Sequence, residues 1–581
     1  MVRAVVMRGG EGTRSRGLGL VRGLALLLQA LFLLGGAPRT AAASDLSSLI
    51  AQSLSDPVPL AVDDTRLDVA ALRALYDTRA SAPLWVSAPD ANARIEAVVA
   101  FLRQVDRDGL ESRAYRVANI EARRGSTDPL QRAELDMLLS EAVMRYGVHV
   151  RTGARRPRVP IPEIEPMVVD PDPVPIALEL ATAPPIEIPS RMQRLAPQTA
   201  EYAKMRDLLA SYREIAAHGG WPRVGDLPKL SPGAVDPGVR RLRERLLATG
   251  ELSADDVPPA GQRDVYDAKL EAAVRKFQRH HGLAPDGTVG NKTREALNVT
   301  AADRVGQIVA NLERLRWLPT ELGERYVWIN IPEYRLRLED RGTTTLEMPV
   351  IVGKSSWQTP VFSSEIRHVV FNPPWNVPPR IAAEELIPRA MADQSYFAAQ
   401  GISWRGGTRV ASAGSGISDG GGVVTAPRRL RQAPGPKNPL GRVKFNMPNP
   451  FGVYLHDTPN KDKFRLTTRS LSHGCVRVGN APALAAALLG DMPEWDESRR
   501  KRALSDWSTR NVNLRSPIPV HIVYATAWRD HDGTVQFRED IYDDDAVLAR
   551  DVGKPRSIRP ASGTPVPSTE TSPARVGDAE S

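Results

Sequence analysis

One cysteine, Cys475, is the only thiol among 581 residues, and its neighbours suit nucleophilic chemistry. It stands in the run LSHGCVRV, two residues after His473. A second histidine, His456, precedes the cysteine by 19 residues. A nearby imidazole is the usual means by which a protein obtains a thiolate at neutral pH. Arg477 adds a fixed positive charge that favours the thiolate and suits a substrate carboxylate. The spacing therefore predicts an activated, nucleophilic thiol at Cys475.

The segments around the cysteine must bring these side chains to one place. In the strand-like run 453–456, alternation turns Val453 and Leu455 to the core, and Tyr454 and His456 outward together. Several short strands with few helices predict a mostly-β domain, a sandwich or barrel, over residues 324–528. The other strand-like runs are YVWINI (326–331), YRLRLE (334–339), LEMPVIVG (346–353), IRHVVFN (366–372), GRVKFNM (441–447) and IPVHIVYATAW (518–528).

An interruption of the strand pattern lies between residues 380 and 429. It begins with a helical signal over residues 382–391 and continues with seven glycines in residues 406–422. Inserted segments near a site often act as lids. We therefore expect residues 380–429 to form a capping insertion.

Two other interpretations of the cysteine remain open at this stage. A free cysteine is often an inert, buried core residue. His456, His473 and Cys475 could also hold zinc, because three nitrogen or sulfur ligands and a water make a catalytic zinc site. No carboxylate stands at ligand spacing to support that site. We expect no metal and no cofactor.

The N-terminal half has helical periodicity and predicts a scaffold domain over residues 45–236. Its apolar stripes include Leu135, Leu138 and Leu139, and ten prolines in residues 157–190 favour extended structure there. Residues 237–298 have a separate periodicity, with stripes at Leu242 and Phe277, and predict a compact three-helix unit.

The two ends of the chain predict export and disorder. The formal net charge is +9, but residues 1–43 carry +5 of it, so the remaining charge argues against a nucleic-acid partner. An uncharged run at residues 23–38, followed by three alanines, is typical of a signal peptide over residues 1–43. An uncleaved membrane anchor is the alternative. Residues 546–581 are rich in Pro, Ser, Thr and charge and predict a disordered tail.

Two segments resemble known families. The frame from His456 to the run SHGCVR at residues 472–477 is similar to the YkuD-type L,D-transpeptidases of bacterial cell walls. The segment YDAKLEAAVRKFQRHHGLAPDGTVGNKTREALN resembles a peptidoglycan-binding module. The order of the segments is similar to the long, YcbB-like branch of that family. The resemblance implies a multidomain α+β protein with a helical scaffold domain, a three-helix peptidoglycan-binding module, and a mostly-β YkuD-type catalytic domain carrying a capping insertion.

The family resemblance also implies a mechanism and a compartment. Cys475 would attack the third residue of a tetrapeptide stem, release D-alanine and form a thioester. His456 would be the general base, and backbone N–H groups around Gly474 and Cys475 would hold the oxyanion. His473 would position the loop or assist catalysis electrostatically, while Ser472, Arg477, Tyr454 and Trp375 would bind substrate. The protein would act in the periplasm.

The acceptor remains open under this interpretation. A stem amine would give 3-3 cross-links, water would give a carboxypeptidase, and a lipoprotein amine would give an anchoring enzyme. A non-catalytic wall-binding scaffold is a further alternative. The implied partners are peptidoglycan stem peptides, a carbapenem as covalent inhibitor, and other wall-synthesis proteins.

Overall fold

The computed structural model describes residues 37–55, 61–62, 65–155, 169–405, 429–550 and 556–558. Its N-terminal region is helical apart from the short pair β1 and β2. These elements are α1 Ala37–Ser55, β1 Ala61–Val62, β2 Thr65–Arg66, α2 Val69–Asp77, α3 Ala91–Leu102, α4 Val117–Arg123, α5 Pro129–Thr152, α6 Pro173–Thr182, α7 Ile188–Arg194 and α8 Ala200–Ala217.

Helix α5 is the centre of the helical region. The Asp128 side chain accepts a hydrogen bond from the N–H of Leu130, and Pro129 occupies the first helical position, so the start of the helix is well defined. Nearly every residue from 133 to 150 is buried, as expected for a helix that is surrounded by others. The predicted apolar stripe at Leu135, Leu138 and Leu139 is confirmed as core.

The proline-rich stretch is only partly as predicted. Residues 156–168 lie outside the described part of the chain. Helix α6 begins at Pro173 inside that stretch, and the Asp172 side chain accepts from the N–H of Val174. Extended structure is therefore wrong for this segment, because proline is tolerated in the first turn of a helix.

A second helical unit has its own core, made by Leu242, Leu246, Leu270, Val274 and Phe277. It comprises α9 Pro237–Ala248, α10 Ala268–His280 and α11 Asn291–Asn298. The small helical unit expected from the sequence is therefore present.

Helix α12 Ala301–Leu315 joins the second unit to the first and to the sheet. It begins with a capping box between Thr300 and Asp303. Ile308 and Leu312 pack in the core of the first helical region. At its end, the Arg316 guanidinium is buried and donates to Glu313 (2.7 Å), to the Tyr202 hydroxyl (2.8 Å) and to the carbonyl oxygen of Asp108.

The remainder is built on strands. They are β3 Arg325–Asn330, β4 Arg335–Asp340, β5 Thr343–Gly353, β6 Phe362–Phe371, β7 Trp375–Asn376, β8 Ile402–Arg405, β9 Arg429–Gln432, β10 Val443–Asn446, β11 Leu455–His456, β12 Ser470–Ser472, β13 Val476–Val478, β14 Arg510–Val523, β15 Ala527–Arg529 and β16 Val535–Phe537.

The main sheet of the described residues closes on itself. Its order is β12-β5-β13-β11-β10-β6-β14-β3-β4, and β4 also pairs with β5. The apolar residues of alternate positions, including Val327, Ile329, Val369 and Phe445, fill its interior. The prediction of a mostly-β domain is confirmed. Helices α16 Ala481–Leu488 and α17 Glu497–Ser505 lie between β13 and β14 in the chain.

The predicted insertion is a separate small layer between β6 and β10 in the chain. Its helical part runs through α13 Pro379–Ile381, a π-helical segment Ala382–Leu386, α14 Ile387–Ala392 and α15 Tyr396–Gln400. Strands β7, β9 and β8 form its sheet. Leu386, Ile402 and Leu430 belong to its own apolar cluster. The whole of the predicted glycine-rich stretch, residues 406–422, lies outside the described residues.

The two predicted end segments have different outcomes. Residues 1–36 of the predicted signal peptide lie outside the described residues. Among the residues that are described, no helix is long and apolar enough to cross a membrane. The prediction of a disordered tail is wrong for its first part, because helix α18 Asp544–Arg550 is present there and buries Leu548. Arg556 also donates to Asp170 (2.7 Å), and Ile558 is buried in the helical core.

We predict that Arg316→Leu lowers the free energy of unfolding by about 3–5 kcal/mol, because it leaves the buried Glu313 carboxylate without its cation. Arg103→Leu is the matched control, since it removes a solvent-exposed pair with Glu121 and should cost about 1 kcal/mol or less. Urea denaturation followed by circular dichroism measures both values. Equal losses for the two variants would contradict the assigned role of Arg316.

Candidate active site

Strand β11 brings the predicted side chains to one face of the sheet. It pairs in parallel with β13, with His456 opposite Arg477, and antiparallel with β10, with His456 opposite Lys444. Val453 and Leu455 are buried in the core of the sheet, as alternation predicted. Tyr454, His456 and Lys444 therefore share the outer face with Cys475 and Arg477. We call these five residues the cysteine face.

The position of Cys475 is set by a tight turn between β12 and β13. Gly474 has φ of +104°, which side chains rarely adopt. The Ser472 hydroxyl donates to the carbonyl oxygen of Cys475 (2.6 Å) and accepts from the N–H of Gly474 (3.1 Å). The Thr359 hydroxyl donates to the carbonyl oxygen of Gly474 (2.8 Å). These bonds fix the loop that carries the thiol.

The same bonds correct two sequence-based predictions. Ser472 is buried, and its hydroxyl is used inside the turn, so the structure places it as a support of the loop rather than a substrate contact. The N–H of Gly474 is already bonded to Ser472, so it is not available for an oxyanion. The N–H of Cys475 has no hydrogen-bond acceptor among the described residues and remains available to a ligand.

His456 is held as a neutral base. Its Nδ1 lies 2.5 Å from the carbonyl oxygen of Asp457. A carbonyl only accepts hydrogen bonds, so Nδ1 carries the proton and Nε2 keeps its lone pair. Burial, followed by the positive charge of Arg477, lowers the pKa of His456 to about 3. The imidazole is therefore neutral at any physiological pH.

The Cys475 thiol is also neutral in the resting site. The side chain is half-buried, and burial raises the pKa of the thiol above its ordinary value. Tyr454, Lys444 and Arg477 act in the opposite direction without cancelling that effect. The motif favours a lowered thiol pKa, whereas burial raises it in the structure, so nucleophilic attack by the sulfur would require removal of the thiol proton.

The groove beside the thiol contains two of the predicted substrate residues. The Tyr454 hydroxyl lies close enough to Cys475 and to Trp375 for a polar interaction with each. Lys444 Nζ lies 4.0 Å from the centre of the Tyr454 ring. Trp375 on β7 belongs to the insertion, so this groove runs between the sheet and the insertion.

Arg477 is a half-buried cation without a full set of partners. Its Nε is buried and has no hydrogen-bond partner within the part of the chain that the structure describes. Burial lowers the pKa of Arg477, and the neighbouring Cys475 partly offsets that shift. With Lys444, it makes the cysteine face positive, as expected for a site that receives an anionic group.

His473 contacts the insertion. Its Nε2 lies 2.6 Å from the Glu385 carboxylate, and its ring meets the Trp357 ring edge-on at 4.9 Å between centroids. The Arg380 guanidinium lies 3.7 Å from the centre of the Trp357 ring. The structure thus supports a positioning role for His473, through the insertion.

Three site residues were missed from the sequence. Lys444 could have been found, because alternation in the run GRVKFNM turns it outward between Val443 and Phe445. Glu385 and Trp357 gave no signal, since their contact with His473 depends on how the insertion packs.

The zinc interpretation finds no ligand set. Within the described ranges, no three His, Cys, Asp or Glu side chains lie together as metal ligands would.

Three family models match separate parts of the chain. Residues 324–496 match the YkuD "L,D-transpeptidase catalytic domain", residues 70–209 match a "Scaffold domain", and residues 235–297 match a "Putative peptidoglycan binding domain". These matches confirm the two resemblances that were predicted from the cysteine motif and from the segment before α12.

Individual relatives match less of the chain. A Haemophilus influenzae protein named "Putative L,D-transpeptidase" is 38% identical over 249 residues, which cover 41% of this chain and 47% of that protein. "N-acetylmuramoyl-L-alanine amidase CwlM" of Mycobacterium tuberculosis is 33% identical over 128 residues, 21% of this chain and 29% of that protein. The chain therefore spans less than half the length of either relative.

A solved structure, the L,D-transpeptidase (residues 123–326) from Xylanimonas cellulosilytica, covers 51% of this chain and 98% of its own. Its identity is 16% and its TM-score is 0.17. We derive nothing from a similarity at that level.

We predict that alkylation of Cys475 by iodoacetamide rises with pH to an inflection above that of an ordinary thiol, because burial disfavours the thiolate. Intact-mass spectrometry measures it cleanly, since this is the only cysteine. Arg477→Gln should move the inflection further upward by removing a nearby positive charge, whereas Lys463→Gln, an exposed control, should not. An inflection near 6.5, the ordinary imidazole value, would instead indicate a thiolate–imidazolium pair.

Proposed function

We propose that this chain, whose residues 324–496 form a YkuD-type L,D-transpeptidase catalytic domain, makes 3-3 cross-links in peptidoglycan through a Cys475 thioester. The observation that carries the proposal is the cysteine face. It sets a thiol and a neutral imidazole with a free Nε2 on neighbouring strands of one sheet. A protein whose β-domain served only to bind the wall would not require that arrangement.

The first half-reaction would proceed by concerted proton transfer. As the Cys475 sulfur attacks the carbonyl carbon of the third stem residue, His456 Nε2 takes the thiol proton and a C–S bond forms. The tetrahedral intermediate collapses by breaking the C–N bond to D-alanine. The imidazolium then gives its proton to the leaving amine.

The surroundings would stabilise the charge that develops during attack. The N–H of Cys475 and the Tyr454 hydroxyl are the donors that we assign to the oxyanion. Lys444 and Arg477 supply positive charge without a carboxylate on the cysteine face, so they would favour the transient anion and the carboxylate of the stem.

The second half-reaction would transfer the acyl group to an amine. The side-chain amine of the third residue of a neighbouring stem attacks the thioester, His456 accepts its proton, and the thiol is released. Water or a lipoprotein amine in place of that amine would give the carboxypeptidase or the anchoring enzyme. The product analysis below separates these three acceptors.

The proposal also places the protein in the periplasm. The apolar run at residues 23–38 and the three alanines after it support export. Residues 235–297 match a peptidoglycan-binding family and would keep the catalytic domain at the wall. A thiol that is protonated at rest suits an oxidising compartment, because the thiolate is the form that oxidises.

The decisive test is mass analysis of the muropeptides formed when the purified chain meets wall that contains tetrapeptide stems. We predict 3-3 dimers and free D-alanine, and a loss of at least about a thousandfold in Cys475→Ala. His456→Ala should lose more activity than His473→Ala, because only His456 carries protons. Tripeptides without dimers would indicate water as acceptor. Residual activity of Cys475→Ala within tenfold of the unaltered chain would eliminate the thioester.

A carbapenem should acylate Cys475 covalently. Its strained lactam C–N bond would break as the C–S bond forms, and the ring nitrogen would take the proton held by His456. The drug carboxylate would meet the positive charge of Arg477 and Lys444. Intact-mass spectrometry should show one adduct per chain, absent from Cys475→Ala. No adduct on the unaltered chain would refute the claim that this thiol is acylatable.

A further inference from the structure

A cavity of about 350 Å³ lies away from the cysteine face, where three parts of the chain meet. Its walls come from α8, from the second helical unit, from α12 and from the hairpin of β15 and β16. None of the five residues of the cysteine face lines it. Its volume lies within the range of small-ligand sites, about 300–1,000 Å³. We call it the junction cavity.

Two buried arginines line the junction cavity without a direct ion pair to any described carboxylate, although Glu251 acts on Arg245 from a distance. Arg245 and Arg304 are only 1% and 6% exposed. Arg304 donates to the Gln307 side chain (2.6 Å), and Arg245 to the carbonyl oxygen of Leu297 (2.9 Å) and to Thr249 (2.8 Å). Neither has a carboxylate within ion-pair distance among the described residues, in contrast to Arg316 with Glu313. Buried cations of this kind are costly unless an anion compensates them.

Desolvation of Arg245 and Arg304 changes the pKa of each guanidinium group. Burial lowers the pKa of both Arg245 and Arg304 to about 10. An anionic group in the cavity would relieve that cost, because it would pair with both guanidinium groups in a region of low dielectric constant.

Aromatic rings form the apolar part of the wall. Tyr212 contacts Trp221 (5.8 Å between centroids) and Phe537 (5.7 Å), and His281 lies between Phe537 (5.7 Å) and Phe277 (3.8 Å). Arg304 lies 4.2 Å from the centre of the Phe537 ring and Arg245 lies 4.6 Å from that of Trp221. These contacts hold the guanidinium groups in place, and the rings offer surfaces on which an apolar or sugar group can pack.

The remaining charges at the junction cavity are mixed. Lys276 stands at the rim and is exposed, while Glu251 and Asp532 contribute carboxylates to the lining. Glu251 lies 3.7 Å from His280. Three cations therefore face two carboxylates and several hydrogen-bonding groups, which suits a ligand that has both a carboxylate and neutral polar groups.

We propose that the junction cavity binds a carboxylate-bearing segment of peptidoglycan, outside the catalytic groove. The identity of the polymer rests on the proposed function, whereas the preference for a carboxylate rests on Arg245 and Arg304. Because the walls come from the helical region, the wall-binding unit and the β-domain, an occupied cavity would also tie the three together while Cys475 reacts.

Binding is tested by calorimetry on the full chain carrying Cys475→Ala, so that no turnover occurs. One probe is the disaccharide of N-acetylglucosamine and N-acetylmuramic acid with its free lactyl carboxylate, and another is the free tetrapeptide stem. Di-N-acetylchitobiose, which has no carboxylate, is the neutral comparison. We expect at least one carboxylated probe to bind at least tenfold more tightly than chitobiose.

The variants assign that binding to the junction cavity. Arg304→Gln should weaken binding of the carboxylated probe at least tenfold. Arg304→Lys should retain most of the affinity, because it keeps the positive charge. Lys276→Glu is a rim variant that spares the core, and it should weaken binding even if Arg304→Gln does not fold. Arg279→Gln removes an equal charge from the exposed face of α10 and should change nothing.

Several results would overturn the inference. They are equal binding of chitobiose, no binding of either carboxylated probe, or affinities that the cavity variants leave unaltered. Failure of the proposed function gives a different result. In that case cross-linking activity survives Cys475→Ala, while the binding measured by calorimetry is unchanged.

Discussion

The parallel pairing of β11 with β13 is the constraint on which the cysteine face depends. With Leu455 opposite Val476 and His456 opposite Arg477, a base and a nucleophile from different parts of the chain share one face. A shift of the register by one residue would turn His456 into the core and Leu455 outward. The loop around Gly474 needs to position only the Cys475 sulfur, because the strand pairing positions His456 and Arg477.

Alternation within one strand was enough to predict half of this arrangement. Tyr454 and His456 could be assigned to the outer face because they alternate along the strand with the apolar residues Val453 and Leu455. The register with β13 could not be predicted, since the two strands are joined through β12 and its turn. The motif favoured a lowered pKa of the Cys475 thiol, whereas the structure raises it. Burial of His456 and Cys475 results from tertiary packing, which the charges in the motif do not reveal.

The insertion and the C-terminal segment show a second limit of prediction from the sequence. The contact of Glu385 with His473 joins residues 88 positions apart, and no local pattern encodes it. The composition of the C-terminal segment predicted disorder, which is wrong for the residues of that segment that the structure describes. Leu548 and Ile558 are single apolar residues that find cores elsewhere in the fold. Composition averages over a window and therefore misses individual anchors of this kind.

The closure of the main sheet has a consequence for the order of folding. Strand β3 is the first strand of the β-domain, and its parallel partner β14 lies almost two hundred residues later in the chain. Such long-range pairings form slowly, because the loss of chain entropy comes before the contacts that compensate it. The sheet cannot close until β14 has been synthesised, and Cys475 precedes β14 in the chain. A nascent or truncated chain would therefore contain the thiol but not the closed sheet whose packing raises the thiol pKa.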